Sequence, residues 1–299
     1  AYEGRLLDRP DEEVVDQGPA FDVRTLMTRR AVLGLAGLGA GATLLAACTS
    51  TGGASASSPA ASPSASSTGA AGALPSGEIP DETAGPYPGD GSNGPDVLAE
   101  SGIERSDIRS SIGADDTVPG VPLQIAFTIT DMANGDAAFA GVAVYAWHCD
   151  AQGRYSMYSE GVEDASWLRG VQVADAQGRV TFTSIVPGCY AGRWPHVHVE
   201  VYPDLASIDD AANAIATSQL AFPQDMLETV YAGAEYDGST RTLSEVSLAS
   251  DMVFGEDAAA LQMPTVSGDG SSGYVASLAV RIDTATAPAS GGGAGPGRP

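Results

Sequence analysis

The sequence predicts a mainly β fold, an antiparallel β-sandwich with peripheral helices and long loops. Three observations predict it. Runs that alternate apolar and polar residues recur through the second half of the chain, which is the period of two of a strand with one buried face. Turn clusters rich in Gly, Asn, Asp and Pro separate those runs. The stretch from Ile79 to Thr284 is also long enough to bury one substantial core.

Taken in order, "VPLQIAFTITDM" (121–132) alternates as the first strand, and "GVAVYAWHCD" (141–150) repeats the pattern after a Gly/Asn/Asp-rich connection. "GRVTFTSIVPGCY" (178–190) and "PHVHVEVYP" (195–203) follow as two more strands. "ASIDDAANAIATSQLAF" (206–222) and "PQDMLETVYAGA" (223–234) have helical composition, "LSEVSLASDMVF" (243–254) is ambiguous, and "SGYVASLAVRID" (272–283) closes the domain as a strand.

The chain has 299 residues and a formal charge of −24, and its fourteen basic residues are all arginine. Such a field repels backbone phosphates, so nucleic acid is excluded as a partner. A phosphate-binding glycine–lysine loop is impossible without lysine, and neither G-x-G-x-x-G opening a helix nor G-x-S-x-G occurs. Nucleotide chemistry and α/β-hydrolase chemistry are therefore excluded as well.

The chain divides by composition. Residues 1–26 are acidic and unpatterned, an extended leader or a misassigned start before Met27. In 27–48, "MTRRAVLGLAGLGAGATLLAAC" sets Arg29 and Arg30 before an apolar stretch too short and glycine-rich for a membrane span. This resembles a twin-arginine export signal, and "LLAAC" resembles a lipobox that would lipidate Cys48 and anchor the protein to a membrane. An ordinary cleaved signal with an incidental cysteine is the alternative. Residues 49–78, almost wholly Ser, Ala, Gly, Thr and Pro, form a linker; 79–284 form the folded domain; 285–299 are an unstructured tail. The expected address is outside the cytoplasm, as a cell-surface lipoprotein or secreted protein. There Cys149 and Cys189, an even pair, are expected to form a disulfide, two unpaired buried thiols being the alternative.

Chemistry concentrates in "CYAGRWPHVHVEVY" (189–202). His196 and His198 alternate with Val197, Val199 and Val201, so on a strand both imidazoles face one side and can converge on one cation. Two ordinary hydrogen-bonded histidines would read the same, so the neighbouring motifs decide. "GRY" (153–155), following the 144–150 strand, is joined by "PGCY" (187–190), "RWPHVHVEV" (193–201) and, at the entrance to the domain, "ETAGPYPG" (82–89). Together these resemble the iron site of the intradiol ring-cleavage dioxygenases, the family of the catechol 1,2- and protocatechuate 3,4-dioxygenases. "RSDIRSSIG" (105–113) falls where that family often carries a similar phrase, so the resemblance spans roughly 80–203.

The resemblance implies that Tyr155, Tyr190, His196 and His198 ligate a non-haem ferric ion. It implies that Tyr190 also acts as a base, that Arg193 stabilises developing negative charge, and that Tyr87 and Arg193 meet the substrate. The implied reaction opens a catechol-type ring with O2 to a muconate-type diacid. Two anionic phenolates suit Fe(III) better than Fe(II), whereas tyrosines are poor zinc ligands. His148 matches no ligand position and reads as structural, and Tyr158 as rim. The low-complexity linker stands where the catechol enzymes carry a helical dimerisation region, so a homo-oligomer is compatible with the sequence but unspecified by it. Arg109 and Arg169 have no assigned place, and with them the presence of a cation for a carboxylate-bearing substrate stays open. The competing class is a non-catalytic sandwich module that binds at the cell surface.

Overall fold

The structure, a computed structural model, describes residues 74–287. The signal, the lipobox with Cys48 and most of the linker lie outside the described residues, as does the tail beyond 287. No helix among the described residues is long and apolar enough to cross a membrane.

Among the described residues nine strands form two sheets: β1 (Pro122–Asp131), β2 (Ala137–Ala138), β3 (Ala143–Trp147), β4 (Arg169–Val173), β5 (Arg179–Ile185), β6 (His196–Tyr202), β7 (Ala216–Ala221), β8 (Thr265–Asp269) and β9 (Gly273–Ile282). In the first sheet β1 pairs with β2, β5 and β9, and β9 pairs with β8; the second runs β4-β3-β6-β7. The inner faces pack Leu123, Ile125, Phe127 and Ile129 of β1 against Val144 and Ala146 of β3 and Val197, Val199 and Val201 of β6. This is the sandwich core the alternation predicts.

Two details differ from the sequence reading. The sheet is not wholly antiparallel: β9 lies parallel to β1, with Leu123 opposite Tyr274 and Asp131 opposite Ile282. Its direction is set by the hairpin with β8. The helical composition of 206–222 yields two 3-10 turns (Leu205–Asp209, Ala211–Asn213) and then β7, because hydrogen bonding to β6 outweighs the local helix preference of an Ala-rich run. The helix expected at 223–234 is present as α1 (Gln224–Val230), and a second, α2 (Ser239–Ser244), runs into the ambiguous segment.

β6 is buried on both faces. Its valines enter the sandwich core, while His196, His198, Glu200 and Tyr202 face outward beneath a cover made by segments 84–112 and 149–158. A strap from Pro75 to Thr83 spans the sheets. Arg281 donates to the Pro75 carbonyl at 2.8 Å and the Ile79 N–H donates to the Arg281 carbonyl at 2.9 Å. Farther along, Ser218 donates to the Pro80 carbonyl and the Glu82 N–H donates to the Thr217 carbonyl, both at 2.7 Å.

Gly178 closes the turn into β5 with φ +72°, and a Cβ there would run into the Ile129 carbonyl oxygen. We expect Gly178→Ala to destabilise the domain by about 1–3 kcal/mol, read as a lower urea midpoint with unchanged slope.

Candidate active site

The outward face of β6 is set by register. Trp147 of β3 lies opposite His198, and Gln219 of β7 lies opposite it on the other side. Trp147 stacks on the His198 ring at 4.7 Å between centroids and 6° between planes, fixing that ring by contact alone. Gly85, at φ +73°, passes so close that a Cβ would sit 3.2 Å from His198 Cε1. Only glycine lets the entrance segment lie against the imidazole.

The four predicted ligands come together. Tyr190 Oη donates to His196 Nε2 at 3.2 Å, and His196 Nε2 lies 3.1 Å from His198 Nε2. The Tyr155 ring stands 5.8 Å from that of Tyr190 and 6.3 Å from that of His198, and Tyr155 Oη is buried with no hydrogen-bond partner. His196 Nδ1 donates to the Trp194 carbonyl at 2.6 Å, so its proton sits there and Nε2 presents a lone pair to the centre. Burial, then the Arg193 charge, push His196 down to about 3; burial, then His196, drive His198 well below its ordinary value. Both rings are therefore neutral donors at physiological pH. Burial likewise raises both phenols, Tyr190 to about 12 and Tyr155 well above its ordinary value. A buried phenol oxygen without a partner beside the imine nitrogen of His196, with His198 Nδ1 also unpartnered, is costly as it stands. A cation would satisfy all four atoms at once and deprotonate the phenols, so the residues fit a ferric ion.

Arg193 reaches the edge of this centre and is held from behind. Its Nε donates to Asp251 Oδ2 at 3.0 Å and one Nη to Gln219 Oε1 at 2.6 Å. Asp251 also accepts the N–H groups of Trp194 at 2.6 Å, Val253 at 2.9 Å and Phe254 at 3.1 Å. Gln219 in turn donates to the Thr83 carbonyl at 2.9 Å. Tyr87, half-buried, lies 4.8 Å from Tyr155 and 5.2 Å from Tyr158 by ring centroids. His148 is fully used, with Nδ1 on the Cys149 carbonyl at 2.7 Å and Nε2 on Ser184 Oγ at 2.6 Å, in keeping with a structural role.

One expectation is corrected. Cys149 and Cys189 are buried and unbridged. Each sulfur turns to main-chain carbonyls, Cys149 to Gly188 at 3.6 Å and Cys189 to Arg193 at 3.8 Å, and burial raises both thiols, Cys189 to about 12. Arg109 is placed away from the centre, partly exposed and paired with Asp107 at 2.6 Å. Sequence reasoning missed Gln219 and Asp251. Gln219 was hidden in a run of helical composition and Asp251 in the ambiguous one; only the register of β7 and a contact across 58 positions bring them in.

The family model Dioxygenase_C, described as dioxygenase, matches residues 92–225, a span that includes all four converging residues, Arg193 and Gln219. An intradiol ring-cleavage dioxygenase from Tetranychus urticae superposes with a TM-score of 0.55 at 22% identity, covering 71% of this chain and 97% of that one. The chain resembles the intradiol ring-cleavage dioxygenases in sequence pattern and in fold. A second structure described as a dioxygenase gives the same TM-score and identity, covering 71% of this chain and 96% of its own. A catechol 1,2-dioxygenase from Pseudomonas arvilla C-1 is more distant, at TM-score 0.40 and 21% identity over 64% of this chain and 60% of that one. No curated protein sequence matches the chain.

Asp251 sits in a buried pair. Burial raises its carboxyl, but the Arg193 charge and the hydrogen bonds to it win, leaving it below the usual carboxylate range. A carboxyl held lower in the folded state adds stability at neutral pH and loses it as pH falls through the folded value. We expect Asp251→Asn to cost about 3 kcal/mol at neutral pH. The variant should also lose less stability than the wild type on acidification to about pH 3, checked by urea denaturation at both values.

Proposed function

We propose that this protein opens the ring of a catechol-type aromatic with O2, between the two hydroxylated carbons, to give a muconate-type diacid. The observation that carries the reading is the convergence of a buried and a half-buried phenol with two neutral imidazoles, the buried Tyr155 oxygen having no hydrogen-bond partner. Tyr155, Tyr190, His196 and His198 would hold a non-haem ferric ion, which, when bound, supplies Lewis acidity toward a catecholate and the electron acceptance its reaction with O2 needs.

The protein's own groups divide the remaining work. Tyr190, half-buried where Tyr155 is fully covered, is the ligand nearer the opening, and its Oη is the atom best placed to take a proton from a substrate hydroxyl. The Arg193 guanidinium, pinned by Asp251 and Gln219, stabilises negative charge growing on the substrate without having to reorganise. Tyr87 offers an aromatic face to the ring. Trp147 against His198 and Phe254, with its ring 6.3 Å from His196, keep water from the back of the centre.

Export through the twin-arginine signal and a lipid anchor on Cys48 complete the proposal, supported by the sequence of 27–48. Catechols met outside the cell, such as those from plant phenolics, would then be the substrates.

The purified protein supplied with ferric iron should turn red from tyrosinate-to-iron charge transfer. Its band should move to longer wavelength when catechol is added without oxygen. A protein that stays colourless overturns the reading and leaves a binding module. Stripping the metal with a chelator should abolish colour and oxygen uptake together, and Tyr190→Phe should weaken iron retention and ring cleavage together. In cells, Cys48→Ala should move the protein from the membrane fraction to the soluble one; unchanged membrane association would refute the anchor.

A further inference from the structure

Arg169, at the start of β4, is among the largest completely buried side chains of the domain. A guanidinium has five N–H donors, and here every one is used. Nε donates to Ser156 Oγ at 3.0 Å. One terminal nitrogen donates to the Pro88 carbonyl at 2.7 Å and to Tyr145 Oη at 3.0 Å. The other donates to the Tyr87 carbonyl at 2.9 Å and the Ser156 carbonyl at 3.0 Å. All these acceptors are uncharged. A buried cation is a poor choice for stability alone, since apolar packing of equal volume does as well or better. What the planar fork supplies is direction: two loops are held at fixed angles from one point.

The loops are the ones that wall the active site. The first, residues 86–89, carries Tyr87; the second, 155–158, carries Tyr155 and Tyr158. Tyr145 Oη donates to the Pro88 carbonyl at 2.7 Å, and Tyr158 Oη accepts the Gly89 N–H at 2.8 Å. The guanidinium carbon lies 5.5 Å from the centre of the Tyr158 ring. Gly89 has φ +65°, and a Cβ there would sit 2.8 Å from the Arg169 nitrogen. The backbone has thus closed onto the guanidinium as far as glycine allows.

We infer that Arg169 is a positioning residue of the ring-cleavage site, joining the 86–89 and 155–158 loops so that Tyr87, packed on the Tyr155 ring, is held in place to present its face to the substrate ring. This rests on the reading of the centre under Proposed function. Arg169 touches neither substrate nor metal; it acts through the Tyr87 backbone and Ser156. Its donors are spent on the protein, so it is not the cation that would receive a substrate carboxylate.

The test uses Arg169→Lys, which keeps the charge but loses the fork, and Tyr145→Phe, which keeps the ring but loses one corner of the clamp. Five quantities are read: hydrogen exchange of the amides of 85–93 in iron-free protein, bound iron, melting temperature, and KM and kcat for catechol. We expect faster exchange in 85–93, iron content near that of the wild type, KM raised roughly tenfold in Arg169→Lys and roughly threefold in Tyr145→Phe, and kcat within about threefold. Unchanged exchange and KM in the folded variants overturn the inference, as does a lower melting temperature with wild-type KM, which marks a purely structural role. If Arg169→Lys does not fold, Tyr145→Phe decides by the same criteria. A wild type that is colourless and inactive with ferric iron sinks the function proposal instead, and the exchange measurement still decides whether the clamp exists.

Discussion

Strand β6 is buried on both faces, and the rest of the domain is arranged around that double burial. Its valines are committed to the sandwich core, so its histidines are committed to the opposite side, where β3 and β7 set Trp147 and Gln219 level with His198. Slipping the register by one residue would drive two imidazoles into a hydrocarbon core and turn three valines onto the site. Packing between the sheets therefore specifies the position of the histidines more tightly than local contacts at the site would. The cover of 84–112 and 149–158 is then required, because the polar face of β6 would otherwise be open to water.

Once covered, the centre runs on desolvation. Imidazoles with lowered proton affinity stay neutral and can donate lone pairs; phenols with raised proton affinity give up their protons only to a strong cation. The two arginines nearby solve the problem of a buried charge differently. Arg193 is neutralised by Asp251 and keeps its place at the edge of the centre. Arg169 is dispersed over carbonyls and hydroxyls and acts as scaffold. On a chain of net charge −24 these two cations both lie beside the centre where Tyr155, Tyr190, His196 and His198 converge.

Much of this was legible in the sequence because it obeys short-range rules. The period of two in "HVHVEV" placed two histidines on one face, and turn chemistry bounded β1, β3, β5 and β9. The tyrosines were legible only through family resemblance, since nothing local tells Tyr155 from a packing aromatic until its oxygen is found without a partner. What stayed hidden depends on pairing between distant segments. β7 looked helical by composition, β8 carried no signal, and the parallel run of β9 beside β1 follows from a hairpin that periodicity does not describe. Asp251 could not be read, because an aspartate in an ambiguous segment becomes a partner for Arg193 only when the chain folds back. The cysteines misled for a related reason: an even count suits a bridge, but the two thiols turn to the Gly188 and Arg193 carbonyls instead.

The strap from Pro75 to Thr83 gives the domain an unusual load path. It is bonded first to the end of β9, then to β7, and its last carbonyl receives the Gln219 amide that also holds Arg193. A pull on the chain ahead of Leu74 is borne along this row of bonds before it reaches either sheet interior. Tension on the upstream chain and the posture of Arg193 are thereby mechanically linked, with the Gln219 side chain as the coupling.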